Sequence, residues 1–449
     1  QVGESYYSTL GRALANAQEG ETVKLLKDIT LDKTLSIDGK SFTLDLNGRT
    51  ISGSVATTQV NKINTSGLLC VGSGSTVTIT DLSEGEQKGS ITNTGTTTSR
   101  AVAVRTGASV TLENGVNLNA EGGSNCSALY IYTNDANAPQ ALVRNANLTS
   151  DAKGYPIRFD STARAAKLTI EGGTFHRVGG SPSLQLISND SANNTTIKGG
   201  TFHNWSTASD GLLVADGYCV VVEDEGMNGE LTGTKVTVQQ NAPESYAASI
   251  DDMGIYYLTL PEGNLYYLLN RGGERHAYTI RQSAECSFPE GKNVGTSTGA
   301  PTELTLRLEE GVLLTGSMPV EIIDILVTGE GMVADGFFTS YEESRYQVTS
   351  EQTPDGTLYR SRLADEFVAA TVILSDGTEI QYDDLSTAVT KVNANSGSTL
   401  RLEKDLTLTE SGDRMSVSGM WTLDLNGHDI LYTGPGSTSS TSVFGLFTI

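Results

Sequence analysis

Tyr130 and Tyr132 alternate along the segment ALYIY, with Arg105 one repeat earlier and Arg158 and Asp160 one repeat later. Flat rings beside charged hydrogen-bonding groups suit recognition of a sugar or a peptide. Outward tyrosines on a sheet also serve plain cross-strand stacking. His176 and His203 stand at equivalent places in EGGTFHRV and KGGTFHNW, with Arg177 and Trp205 close by. Two imidazoles could begin a metal site; no third ligand is evident, and a surface ladder is the alternative. Glu113 and Glu171 end equivalent strands and are the residue type a glycoside hydrolase pairs, but their registers lie two coils apart. A Ca²⁺-assisted lyase would need carboxylates projecting from adjacent coils. No aligned Asp cluster, D-x-[DN]-x-[DN]-G loop or G-G-x-G-x-D run occurs. Nor is there a G-x-S-x-G elbow. The cysteines, Cys70, Cys126, Cys219 and Cys286, form no C-x-x-C pair. Cys70 and Cys219 lie in apolar runs and read as small core residues. His276 and His428 have no evident partners. No catalytic set and no metal set is expected, with Ca²⁺ kept as a minor alternative and no other cofactor.

The 449-residue chain holds 30 Lys and Arg against 53 Asp and Glu, a formal charge of −23. A duplex-binding protein normally carries a basic face, so nucleic acid is not an expected partner. No apolar run reaches the length needed to span a membrane. Glycine is abundant at 49 and proline sparse at 10. With plentiful Thr, Ser and Asn, that composition suits many short strands joined by tight turns. The chain opens on Gln1 without Met, which reads as a processed end or an artificial boundary.

Internal repeats supply the positioning elements. One strand-like segment recurs at 101, 128, 156, 184 and 211, spaced 27 or 28 residues apart. A second recurs as VTIT, VTLE, ALVR, LTIE and TTIK; a third as GSITN, GVNLN, NANLT, GGTFH and GGTFH. Three short strands per period, returning in register, predict one coil of a three-sided solenoid stacked at about 4.8 Å. The fold class expected is all-β: a right-handed parallel β-helix with a short capping helix at about 6–18 and an irregular β-rich middle segment. Alternation puts Val102 and Val104, Leu129 and Ile131, Ile157 and Phe159 inside, and the tyrosines outside. Phe175 and Phe202 should stack in the core. Asn47 and the glycine pairs 172–173 and 199–200 should sit at left-handed turns.

A longer repeat links the two ends. LDLNG occurs at 44–48 and again at 423–427, each preceded by a helical pattern: Leu10, Ala13, Leu14 and Ala17, then Leu385, Ala388, Val389 and Val392. This predicts three parts: a capped β-helix over 1–228, a β-rich segment over 229–365 read as irregular coils or a separate β domain, and a second, truncated β-helix copy over 366–449. Asn241-Ala-Pro and Gln352-Thr-Pro-Asp-Gly look like junctions.

At LDLNGRTI, EGGTFHRV, KGGTFHNW and LLVADGYCV the chain resembles the repetitive cell-surface proteins of gut Gram-positive anaerobes, within the pectate-lyase-like β-helix superfamily. The resemblance covers about residues 1–225 and 375–449. It implies a secreted, cell-wall-anchored parent protein. It does not fix activity, since that superfamily holds lyases, hydrolases, tailspikes and adhesins alike. The expectation is a non-enzymatic, adhesin-like or structural monomer binding a glycan or a host or microbial surface protein. The alternatives are a polysaccharide lyase or glycoside hydrolase on the same scaffold, and a pure spacer.

Overall fold

The computed structural model describes residues 1–56, 59–60, 63–64, 67–95, 98–122, 126–133, 137–160, 165–179, 186–188, 194–203, 205, 213–224, 235–260, 265–269, 276–288, 290–296, 301–342, 345–409, 415–434 and 447–448. Contacts divide the chain into two compact units: Gln1–Tyr246 with Met253–Thr259, and Ala247–Asp252 with Leu260–Ile449.

In the first unit, three successive strands belong to three different sheets, and the next three pair with them in parallel. Sheet A collects Ser41–Asp45, Thr76–Thr80, Ser109–Leu112, Gln140–Val143, Lys167–Ile170 and Asn194–Ile197 after Thr22–Lys24. Sheet B collects the strands from Ile29–Leu31 to Gly200–His203, and sheet C those from Leu35–Ile37 to Ile187–Ser188. The fold is all-β, with the long parallel sheets of a parallel β-helix. Register is strict: Leu44 pairs with Ile79, Ile79 with Leu112, and Leu112 with Val143. Because side chains alternate across a strand, such a row points to one side on every coil, and all four residues are fully buried. Each buried aliphatic side chain contributes about 1.5–3 kcal/mol. Phe175 and Phe202 stack as expected, at 4.7 Å and 12°. The sheet B series ends where Lys235–Gln239 pairs antiparallel with Gly200–His203.

The N-terminal helix spans Leu10–Asn16, shorter than expected, and buries the face foreseen. Thr9 caps it by accepting from the Arg12 amide, and Lys40 Nζ, from sheet A's flank, donates to the Ala15 and Ala17 carbonyls at its other end. Leu385–Asn393 repeats the device, with Asp384 as its cap. The LDLNG turns match as well. Asn47 and Asn426 adopt φ of 50° and 52°. Their side-chain amides donate to Leu25 O (2.9 Å) and Leu402 O (3.0 Å), one coil earlier. Asparagine suits this place because it tolerates the left-handed region and carries the donor. Of the glycine pairs, Gly173 and Gly200 hold the positive φ. A Cβ on Gly173 would meet Ala146 O at 2.1 Å.

In the second unit, His276–Ile280, Thr302–Leu308 and Ile323–Gly329 pair in parallel, as do Ala284–Cys286, Leu313–Gly316 and Met332–Val333. The strands Tyr346–Thr353 and Gly356–Leu363 form an antiparallel hairpin. The Gln352–Gly356 segment is therefore the hairpin's turn and not a junction: Pro and Gly mark tight turns as readily as linkers. The boundary expected at 228–229 lies outside the described residues. That at 365–366 falls in a short 3-10 turn, Asp365–Phe367. Beyond it, Ala370, Val372, Ile380, Tyr382 and the buried helix face share one core with Leu400 and Leu402.

One buried carboxylate ties the coils together. Asp81 accepts from the Gly48 and Gly89 amides at 2.7 and 2.6 Å and from the Ser83 amide at 3.0 Å. Burial opposes its charge, but the Ser83 hydroxyl and these amides outweigh that and hold it below the usual carboxylate range. Its stabilising contribution is present above the unfolded carboxylate value of about 4 and is lost as pH falls through the lower folded value. Asp81→Asn should cost about 1–3 kcal/mol at neutral pH, because one acceptor is replaced by a donor facing amides. Urea unfolding should also lose part of its pH dependence below about pH 4; a variant with unaltered midpoint at both pH values would refute this role.

Candidate functional site

Sheet C carries the tyrosines. Tyr130 pairs with Ala103 before it and Arg158 after it. It lies on the side opposite Leu129 and Ile131, as alternation requires. Yet it is only 1% exposed, and with Tyr132, Cys70 and Ala103 it forms a closed apolar cluster. The expected open aromatic face is therefore corrected: period-two alternation tells which side a residue takes, not whether water reaches that side. The charged neighbours are drawn into the same layer. The Arg100 guanidinium carbon sits 3.2 Å from the Tyr130 ring centre, and the Tyr130 hydroxyl donates to the Asp160 carboxylate. Arg158 lies 5.6 Å from the Tyr155 ring. Arg105, Arg158 and Asp160 are half-buried. Burial pushes the Tyr130 phenol above its ordinary range, and Asp160 adds to this while Arg100 opposes it. The cluster is a desolvated polar–aromatic brace.

Sheet B carries the histidines. The His176 and His203 ring centres lie 5.0 Å apart, tilted by 53°, the separation expected for adjacent coils. Both rings are half-buried. Trp205 is not beside them on the surface. It is 0% exposed and packs edge-on to Phe202 at 4.9 Å. Arg177 is likewise fully buried, because it shares the inward side of its strand with Phe175.

The same outward side of sheet B holds residues that motif reading passed over. Register aligns one row through Thr50, Ser90, Asn117, Asn147, Thr174 and Thr201. A second runs through Ser52, Thr92, Asn119, Thr149, His176 and His203. Rungs are fixed by their own bonds: Thr50 to Ser90 at 3.1 Å, Asn147 Nδ2 to Asn117 Oδ1 at 3.0 Å, and Asn119 Nδ2 to Thr92 Oγ1 at 3.1 Å. The loop 82–88 rises beside the first coils, and Asn117 donates to Lys88 O at 3.1 Å. Between loop and rows lies an open groove of 420 Å³, lined by Thr50, Ser90, Asn117, Asn119 and Asn147 with Glu86, Gln87 and Lys88. The signal was present in GVNLN and NANLT, where Asn and Thr occupy alternate positions of a strand.

Other candidates resolve differently. Arg144 stands between Glu113 and Glu171, 3.0 and 3.7 Å from their carboxylates, so each is an ion-pair partner. The four cysteines are free and buried. Burial pushes the Cys126 and Cys286 thiols up to about 12 and raises those of Cys70 and Cys219, which disfavours the thiolate a nucleophile needs. His276 is buried and pairs with Asp252 at 2.7 Å, and His428 faces Asp405 at 3.3 Å. Among the described residues, no group of three or more His, Cys, Asp or Glu could hold a metal ion, and no helix is long and apolar enough to cross a membrane. Comparison with protein-family models, curated proteins and solved structures gave no match.

The brace yields a direct test. Tyr130→Ala should lower the free energy of unfolding by about 3–5 kcal/mol, as for other large buried rings. Tyr130→Phe should cost about 1–3 kcal/mol through the lost bond to Asp160. Urea titrations read both as lower midpoints; wild-type midpoints in both variants would contradict a buried Tyr130.

Proposed function

We propose that the chain is a non-catalytic, surface-displayed binding protein that holds a glycan against the outer side of sheet B. The observation that carries this reading is the double row of hydroxyls and amides beside an open polar groove. A sugar presents many hydroxyls, each needing a donor and an acceptor. Side-chain amides and hydroxyls supply both, and their bonds along the ladder hold them in place before a ligand arrives, which reduces the ordering cost of binding. Rungs recur at about 4.8 Å, a regular array suited to an extended chain. A glycosidase would need two suitably spaced carboxylates; the lining of this groove holds one, Glu86. No metal or cofactor is required by the contact proposed. Secretion, anchoring in a cell wall and kinship with the surface proteins of gut anaerobes belong to the same proposal and rest on the sequence resemblance.

The rival reading is a spacer, favoured by the way the ladder satisfies itself through Asn147–Asn117 and Asn119–Thr92. A glycan array probed with the intact chain separates the two. Binding to extended neutral glycans should weaken roughly tenfold or more, about 1.4 kcal/mol, in Asn117→Ala with Asn119→Ala. Undiminished binding would remove this face from consideration, absence of any binding would favour the spacer, and release of unsaturated product would sink the non-catalytic reading.

A further inference from the structure

Beyond the groove, the second row changes character. Thr149 is followed on successive strands by His176, His203 and Lys235. Three side chains able to carry positive charge thus occupy neighbouring rungs, and like charges directly opposite one another destabilise a sheet. The imidazoles are half-buried at 5.0 Å, and neither has a hydrogen-bond partner among the described residues. Of the charged groups around them, Glu223 is engaged by Lys235 and by the Thr237 hydroxyl (2.6 Å). Asp151, at the end of the strand carrying Thr149, accepts from Cys126 Sγ (2.8 Å) and the Gly122 amide (2.9 Å). Arg177 points inward. The side chain of Asp224, whose backbone pairs with Lys235, lies outside the described residues. When both histidines are protonated, three positive charges therefore face one committed carboxylate, in a chain whose formal charge with neutral histidines is −23.

We propose that His176, His203 and Lys235 form an anion-binding end of this face, taking a sulfate ester carried by a glycan. This rests on the glycan-binding reading of sheet B. A sulfate remains ionised wherever an imidazole is charged, and its tetrahedral oxygens can accept from donors on adjacent rungs. Burial, then His176 and Lys235, hold His203 below the ordinary histidine value of about 6.5. In the free protein that group therefore takes its proton late, and the folded state loses stability as pH falls below the ordinary value. A bound sulfate reverses the balance, so affinity rises as pH falls and binding takes up protons.

The experiment compares dextran sulfate, dextran and polygalacturonate binding to the full chain by calorimetry at about pH 5 and about pH 8, on either side of the histidine range. Dextran sulfate should bind roughly tenfold or more tighter at the lower pH, with proton uptake, and His176→Asn with His203→Asn should abolish the difference. That variant should keep the wild-type urea midpoint at about pH 8, which reports an intact fold. Equal dextran sulfate affinity at both pH values, or a pH dependence that survives the double substitution, would overturn the proposal. Polygalacturonate binding as tightly as dextran sulfate would overturn sulfate as the class. Neutral binding without sulfate binding defeats this inference alone. Acid-dependent sulfate binding without neutral binding defeats the groove reading alone.

Discussion

Among the described residues, each interior strand of the regular region pairs through its backbone N–H and C=O groups with the strand one coil before it and the strand one coil after it. Leaving such groups unpaired costs about as much as a lost hydrogen bond each. Registry between coils is therefore compulsory. Once registry is compulsory, so is the alternation of side chains, because a one-residue slip would send a whole row from core to solvent. The buried rows Leu44–Ile79–Leu112–Val143 and Leu148–Phe175–Phe202 and the outer rows of Asn, Thr and His are two expressions of that rule. The candidate site is accordingly made of the fold's own repeat and needs no separate loop architecture to align it.

What the amino-acid sequence discloses follows from which forces are local. The two helix faces, the Asn47 turn, the Phe175–Phe202 stack and the 5.0 Å histidine spacing were legible, since each depends on periodicity and on the rung spacing of a sheet. The burial of Tyr130 was not. It depends on what lies over the outer side of sheet C, where Arg100 and Asp160 arrive from other coils. Trp205 was misread for a related reason: proximity to His203 along the chain says little about which side of a wall a residue takes. The amide rows of sheet B were legible in principle, but polar residues at strand positions look like ordinary outward filler until register aligns them.

The two LDLNG copies separate backbone coding from burial coding. Asn47 and Asn426 adopt the same turn and reach back to the same carbonyl. Asp28 and Asp405 likewise accept from the amides of Thr50 and Asp429 at 2.9 and 3.0 Å. Local sequence dictates these bonds. Exposure differs all the same, from 0% at Leu46 to 46% at Leu425. An identical segment folds identically, and how dry it becomes depends on the neighbouring coil. Stability is thus distributed as nearest-neighbour terms, as in other stacked repeats.

Compulsory registry also governs how such a protein can change length. Arg144 answers Glu113 on one side and Glu171 on the other, and Asn147 and Asn119 bond to Asn117 and Thr92 on the rungs before them. Removing or adding a residue within a strand would turn its inward row outward against the neighbouring coil. Removing or adding one whole coil would reconnect equivalent positions and leave all other rows intact. Change of length in this scaffold is therefore quantised: the outer face of sheet B can grow or shrink only by whole rungs.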